Sequence, residues 1–149
     1  MVIEIKGEKD FGYDFFVREN GKNIFYVETV GEYGIFKLYE YEFRKKLAET
    51  RGIVKLPFIF YERISLFHDS QEFIIDRPMF SFKKNIFWEG KIYDIAYKKH
   101  DLTIFQNNQK VAFFKNNKKW YGTDSFSAEI LDKENIVLYI SLFLSFYAF

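Results

Sequence analysis

Apolar and charged residues alternate at 2–6 (Val-Ile-Glu-Ile-Lys), a period of two that predicts a short strand with one face to a core. Two aromatic and β-branched runs follow at 13–18 and 23–30. They flank Asn20-Gly21, the dipeptide that best suits a two-residue hairpin turn. Residues 35–40 alternate again. At 39–50 the pattern is ambiguous: Tyr39, Phe43, Leu47 and Ala48 fit a helical stripe, whereas Tyr41, Phe43 and Lys45 alternate as in a strand. With strands on both sides, a hairpin turning at Glu42-Phe43-Arg44 and returning through 46–50 is the reading adopted, with Arg51-Gly52 closing it. Pro57 suits an edge or a bend in 53–60. Strand patterns recur at 61–67 and 72–75 around a polar turn at 68–71, and shorter ones at 79–82, 86–88 and 91–96 around Lys83-Lys84-Asn85 and Glu89-Gly90. A further hairpin is predicted from 102–105 and 110–114 around Gln106-Asn107-Asn108-Gln109, and a last strand at 125–131.

The closing stretch breaks this rhythm. Residues 136–149 carry no charge, no Gly and no Pro, and they follow Asp132-Lys133-Glu134, which offers an N-cap and acidic residues for a helix start. Apolar side chains occupy every face, so the helix has no wet side and must be enclosed. At 1.5 Å per residue its uncharged part reaches about 21 Å, short of the roughly 30 Å of a bilayer core. Enclosure by protein is therefore the first reading, and a tail anchor or tilted membrane segment the second.

About ten to twelve short strands and one all-round apolar helix point to a mainly β fold, a closed antiparallel barrel of about 12 strands enclosing a hydrophobic C-terminal α-helix. A barrel that wide is not filled by its own side chains and must hold a ligand, water or a plug, and the terminal helix is a fitting plug. The expected plug residues are Ile136, Leu138, Ile140, Leu142, Phe143 and Phe146. No linker-like stretch divides the 149 residues, so a single domain over 1–149 is expected, with 133–149 as its central helix. The 20 phenylalanines fit a large interior.

The passages Trp88-Glu-Gly-Lys-Ile-Tyr93, residues 102–112 (LTIFQNNQKVA), 118–124 (KKWYGTD) and 128–132 (AEILD), ahead of an apolar terminal helix, resemble the tubby C-terminal-like superfamily. The resemblance is greatest to its small LURP-one-related bacterial members, which also resemble the phospholipid scramblases. It covers the whole length in the order of parts and is most specific from Phe87 onward. It implies a twelve-stranded barrel wrapped around the helix. It also implies, more loosely, lipid contact, because tubby domains bind phosphoinositides through basic residues on the barrel wall. No phosphoinositide-binding position is matched residue by residue. A scramblase-type calcium site needs an acidic cluster near the end of the chain, where only Asp132 and Glu134 lie close to the helix.

Charge narrows the function classes. The net charge is +1, so no field over the whole molecule favours nucleic acid. Lysines nonetheless outnumber acids between residues 83 and 119, and Lys83, Lys84, Lys98, Lys99, Lys115, Lys118 and Lys119 are candidates to bind anionic lipid headgroups. The plainer reading is that they keep strand edges soluble and unpaired. Tyr93, Tyr97, Trp120 and Tyr121 suit either a membrane interface or a barrel wall.

The absence of Cys excludes disulfides and thiolate chemistry. His68 and His100 have no spaced partner, and no nucleophile, phosphate or dinucleotide motif is present, so neither an enzyme, a metal nor a cofactor is expected. Acids Glu4 and Glu8 stand where a signal peptide has a basic start, which favours the cytoplasm, with a peripheral membrane association. The expectation is a non-enzymatic binding or scaffold module whose partner is anionic phospholipid or another protein. The alternatives are a membrane-anchored or scramblase-like protein using the helix, and a protein scaffold with no lipid role.

Overall fold

Four tight turns set the spacing of the strands. Asn20-Gly21, Asp69-Ser70, Glu89-Gly90 and Asn107-Asn108 each hold both residues at positive φ, the mirror-image turn whose twist matches that of the strands it joins. Gly21 (φ 78°) and Gly90 (φ 75°) take the second position, where a side chain is least welcome.

A computed structural model describes residues 1–7, 15–29, 35–56, 61–78, 82–99, 101–117 and 125–146, with the backbone alone at 52–56, 61–62, 76–78 and 82–83. The strands are β1 (Val2–Gly7), β2 (Phe15–Glu19), β3 (Lys22–Thr29), β4 (Phe36–Glu40), β5 (Lys46–Leu56), β6 (Tyr61–His68), β7 (Gln71–Pro78), β8 (Phe82–Trp88), β9 (Lys91–Lys98), β10 (Asp101–Gln106), β11 (Gln109–Asn116) and β12 (Ser125–Ile130). A 3-10 turn, Lys133–Asn135, leads into α1 (Ile136–Phe146).

All twelve strands form one antiparallel sheet in the order β7-β6-β5-β4-β3-β2-β1-β12-β11-β10-β9-β8. The first and last strands pair, Ile3 opposite Ala128 and Ile5 opposite Phe126. The sheet edges therefore fall mid-chain, at β7 and β8, and face each other in a nearly closed barrel. Among the described residues no backbone ladder joins these edges, and side chains bridge them instead. Gln71 Nε2 donates to the Phe87 carbonyl at 2.9 Å, the Lys84 ammonium donates to the Ile74 carbonyl, and the Trp88 ring lies 5.0 Å from His68 and 5.7 Å from Phe73.

Alternation explains what fills the interior. Ile3 and Ile5, Phe36 and Leu38, Ile64 and Leu66, Leu102 and Ile104 point inward and are wholly buried. The remaining space belongs to α1, in which every residue of 138–146 is buried. Leu138, Ile140, Leu142 and Phe143 have no exposed surface, Phe146 has almost none, and Ile136 packs partly buried against the same core. Phe143 stacks on Phe114 with centroids 4.6 Å apart and meets Phe126 edge-on at 5.0 Å. Ser145 Oγ donates to the Ser141 carbonyl at 2.7 Å, one turn earlier. The Ser141 hydroxyl, equally buried, has no hydrogen-bond partner among the described residues.

A polar knot ties the start of the helix to the wall. Asp132 caps the 3-10 turn by accepting from the Glu134 backbone N–H at 3.2 Å. Its other oxygen accepts from the Tyr139 hydroxyl at 2.7 Å and from Asn135 Nδ2 at 3.0 Å. Trp88 Nε1 donates to Asn135 Oδ1 at 3.2 Å, which links this group to β8. The helix thus begins at the barrel rim that carries the tight turns.

Two sequence expectations are corrected. Arg51-Gly52 does not close a hairpin, because β5 runs on through a bulge between Arg51 and Val54. Lys83-Lys84-Asn85 is not a turn but the first half of β8, paired with Ile95 and its neighbours on β9. The ambiguous stretch at 39–50 is a hairpin, with β4 and β5 joined through residues 41–45. Pro57 lies outside the described residues.

Candidate functional site

Of the lysines singled out from sequence, four have described side chains, and three of these stand near one rim while Lys84 lies apart. Lys84 follows the inward parity of Ile86 and Trp88, and its ammonium is engaged across the seam. Lys98, Lys99 and Lys115 are exposed near the rim where α1 ends. Lys98 stands opposite Asp101, whose carboxylate accepts from the backbone N–H of Asn116, the residue after Lys115, at 2.9 Å. The row continues from Lys115 to Ser127 and then to Glu4, so cations and acids alternate along it. The Lys83 side chain, Lys118 and Lys119 lie outside the described residues, as do Trp120, Tyr121 and His100. Tyr93 is buried in the wall against Tyr139, 6.0 Å away, and His68 sits in the seam with Nδ1 3.1 Å from the Leu47 carbonyl.

The opposite rim carries a different feature. In the β4–β5 turn every residue from 41 to 46 is exposed. Phe43, at the tip, is 74% exposed and is followed directly by Arg44, Lys45 and Lys46, with Tyr41 two residues before it. Phe43 is the most exposed large hydrophobic side chain among the described residues, ahead of Val2 at 65% and Phe87 at 61%, and an aromatic ring left this far out is an uncompensated apolar surface. Lys46 is partly spent, because it pairs with Glu49 at 2.9 Å while Arg51 pairs with the same carboxylate. Arg44 (φ 54°) and Lys45 form no salt bridge among the described residues.

Beside this turn the outer wall of β2–β4 is aromatic. Phe16 pairs with Tyr26 and Tyr26 with Tyr39 across adjacent strands, with ring centroids 5.3 and 6.5 Å apart. Tyr41 extends the row at 6.0 Å from Phe16. These four rings, with Glu28, Glu40 and Arg44, line a cleft of ≈ 340 Å³. Partial burial is the main cause raising the Tyr39 phenol above its ordinary pKa, followed by the nearby charge of Glu28 and the hydrogen bond to it.

Phe43 and this cleft were not singled out from sequence. Finding the cleft requires the inward parity of three strands at once: with Phe15, Val27 and Leu38 inward, Phe16, Tyr26 and Tyr39 are aromatic residues on the side where polar ones are the norm. Among the described residues no three His, Asp or Glu are grouped to hold a metal ion. None of the helices is long and apolar enough to cross a membrane among those residues. Comparison with known protein families, with curated proteins and with solved structures finds no match.

Proposed function

We propose that the protein is a non-enzymatic, tubby-like binding module that docks peripherally on anionic membrane surfaces through the β4–β5 turn. One observation carries this reading: Phe43, 74% exposed, sits beside consecutive basic residues at the tip of a projecting turn. The apolar ring enters the interfacial layer while Arg44 and Lys45 meet headgroup phosphates. The resemblance to tubby-like proteins supports it through strand number and the enclosed terminal helix.

Magnitudes favour weak, reversible docking. Two basic residues contribute about 1 kcal/mol each near an anionic surface, and burying a Phe ring contributes about 1.5–3 kcal/mol. The sum, about 4 kcal/mol, corresponds to a dissociation constant of about 1 mM. The anchored-helix alternative is weaker, because α1 is buried over its last nine described residues, 138–146.

Sedimentation of the full chain with anionic vesicles tests the proposal. Phe43→Ala is expected to weaken binding about tenfold, and Arg44→Gln/Lys45→Gln to remove most of the salt dependence. Unchanged binding in both variants contradicts the proposal. Binding lost instead in Lys98→Gln/Lys99→Gln/Lys115→Gln moves the contact to the opposite rim. Absence of binding by the wild type leaves a protein-partner scaffold.

A further inference from the structure

The aromatic ladder on β2–β4 has a sufficient structural explanation in part: cross-strand ring pairs on an outer face stabilise a sheet. That explanation covers Phe16, Tyr26 and Tyr39. It does not cover why a cleft forms over them, nor why three charged residues line it. Among the described residues neither Glu28, Glu40 nor Arg44 forms a salt bridge, although all three line the same ≈ 340 Å³ space. Charges beside aromatic faces in a concave site make a recognition surface for an ion of opposite charge.

We infer that this cleft binds the ammonium-phosphate headgroup of a phospholipid, the ammonium over the tyrosine rings beside Glu28 and Glu40 and the phosphate on Arg44. Aromatic faces attract an organic cation through the ring quadrupole, and the two carboxylates add attraction of the same sign. Arg18 already uses this chemistry at the edge of the ladder, with its guanidinium carbon 5.8 Å from the centroid of Phe16. Arg44 makes the site zwitterionic and suits a phosphate oxygen pair. The volume lies at the low end of the roughly 300–1,000 Å³ range of small-ligand sites, which suits a headgroup and not a whole lipid.

The source of the headgroup follows from position. Tyr41 and Arg44 belong to the same turn as Phe43, so a headgroup in the cleft is within one turn of the ring proposed to enter the bilayer. In this respect the inference rests on the membrane-docking reading. A headgroup that recognises its own site would also give the docking a chemical preference that Phe43 and its cations alone lack.

Titration of the full chain with soluble phosphocholine, phosphoethanolamine, tetramethylammonium and inorganic phosphate, followed by NMR of the tyrosine rings, tests the site without vesicles. The zwitterions and tetramethylammonium are expected to give saturable shifts at Tyr26, Tyr39 and Tyr41, and inorganic phosphate none. Glu28→Gln/Glu40→Gln, which leaves the rings in place, is expected to weaken all three about fivefold. Arg44→Gln should weaken the zwitterions but not tetramethylammonium. Absent saturation, phosphate binding as tightly as the zwitterions, or a neutral Glu28→Gln/Glu40→Gln variant overturns the site.

A vesicle arm separates the two proposals. Phe43→Ala is expected to lower vesicle binding while leaving soluble headgroup affinity unchanged. Soluble phosphocholine should displace the protein from vesicles that mix choline and anionic lipids. Headgroup binding without displacement overturns the lipid source, and displacement without any effect of Phe43→Ala refutes the insertion of that turn alone.

Discussion

Replacing Phe143 with aspartate is expected to leave no cooperatively folded protein at 25 °C. The ring is wholly buried, stacked on Phe114 at 4.6 Å and edge-on to Phe126 at 5.0 Å, so it joins α1 to β11 and β12. Removing a buried Phe to Ala costs about 3–5 kcal/mol. An unpaired carboxylate adds the cost of desolvating a charge, or of neutralising it by a large pKa shift, several kcal/mol more. Together these, about 6–10 kcal/mol, are comparable with the roughly 5–15 kcal/mol by which a domain is stable. Phe143→Leu keeps an apolar side chain and is expected to stay folded with a loss of about 1–1.5 kcal/mol. Circular dichroism melts of both variants decide the matter. A Phe143→Asp protein melting within a few degrees of wild type would mean that α1 is not enclosed.

The second large effect is expected at Asp132. Desolvation is the largest single influence and pushes its pKa up, but the hydrogen bonds from Tyr139, Asn135 and the Glu134 backbone, helped by Lys91, outweigh it and hold the carboxyl below its ordinary value. A depressed carboxylate pKa contributes stability above the unfolded value, about 3.9, and loses it as pH falls through the folded value. Asp132→Ala also strips the Tyr139 hydroxyl and Asn135 of their acceptor, at a cost of about 2–3 kcal/mol at pH 7. Tyr139→Phe in the same background should recover part of that, because the orphaned hydroxyl is gone. Urea titrations at pH 7 and pH 3 are expected to show a smaller acid loss in Asp132→Ala than in wild type. Glu49, held low chiefly by its hydrogen bond to Arg51, acts in the same window, so some acid sensitivity remains in that variant. Equal acid loss in wild type and variant would contradict the role of Asp132.

Local chemistry was legible in the sequence where one segment sufficed. The uncharged run from Ile136 specified an enclosed helix, Asp132 the cap of the 3-10 turn that leads into it, and Asn20-Gly21 and Glu89-Gly90 their turns. Misreadings arose where a polar residue serves packing between distant strands. Lys83-Lys84-Asn85 looks like a turn because nothing in the segment itself shows that Lys84 has a carbonyl to reach on β7. Arg51-Gly52 looks like a stop because a bulge and a turn use the same residue types.

The candidate site was hidden for a related reason. Phe16, Tyr26 and Tyr39 are 10 and 13 residues apart and meet only through the registers of β2, β3 and β4. The lysines from 83 to 119 form a conspicuous cluster in sequence, and of those described Lys84 reaches across the seam to β7, while Lys98 and Lys115 stand in a row interrupted by acids. Phe43 reads in sequence as part of a turn, and only the structure shows its ring left 74% exposed.

Hydrogen exchange of the full chain, with and without anionic vesicles, tests most directly whether the barrel keeps its helix and meets lipid with its β4–β5 turn. The expected result is slower exchange confined to 41–46 and the adjoining outer wall, with 138–146 slow under both conditions. Faster exchange in 138–146 on vesicles would mean that the helix leaves the barrel. Protection confined to the rim of Lys98, Lys99 and Lys115 would contradict the turn as the contact.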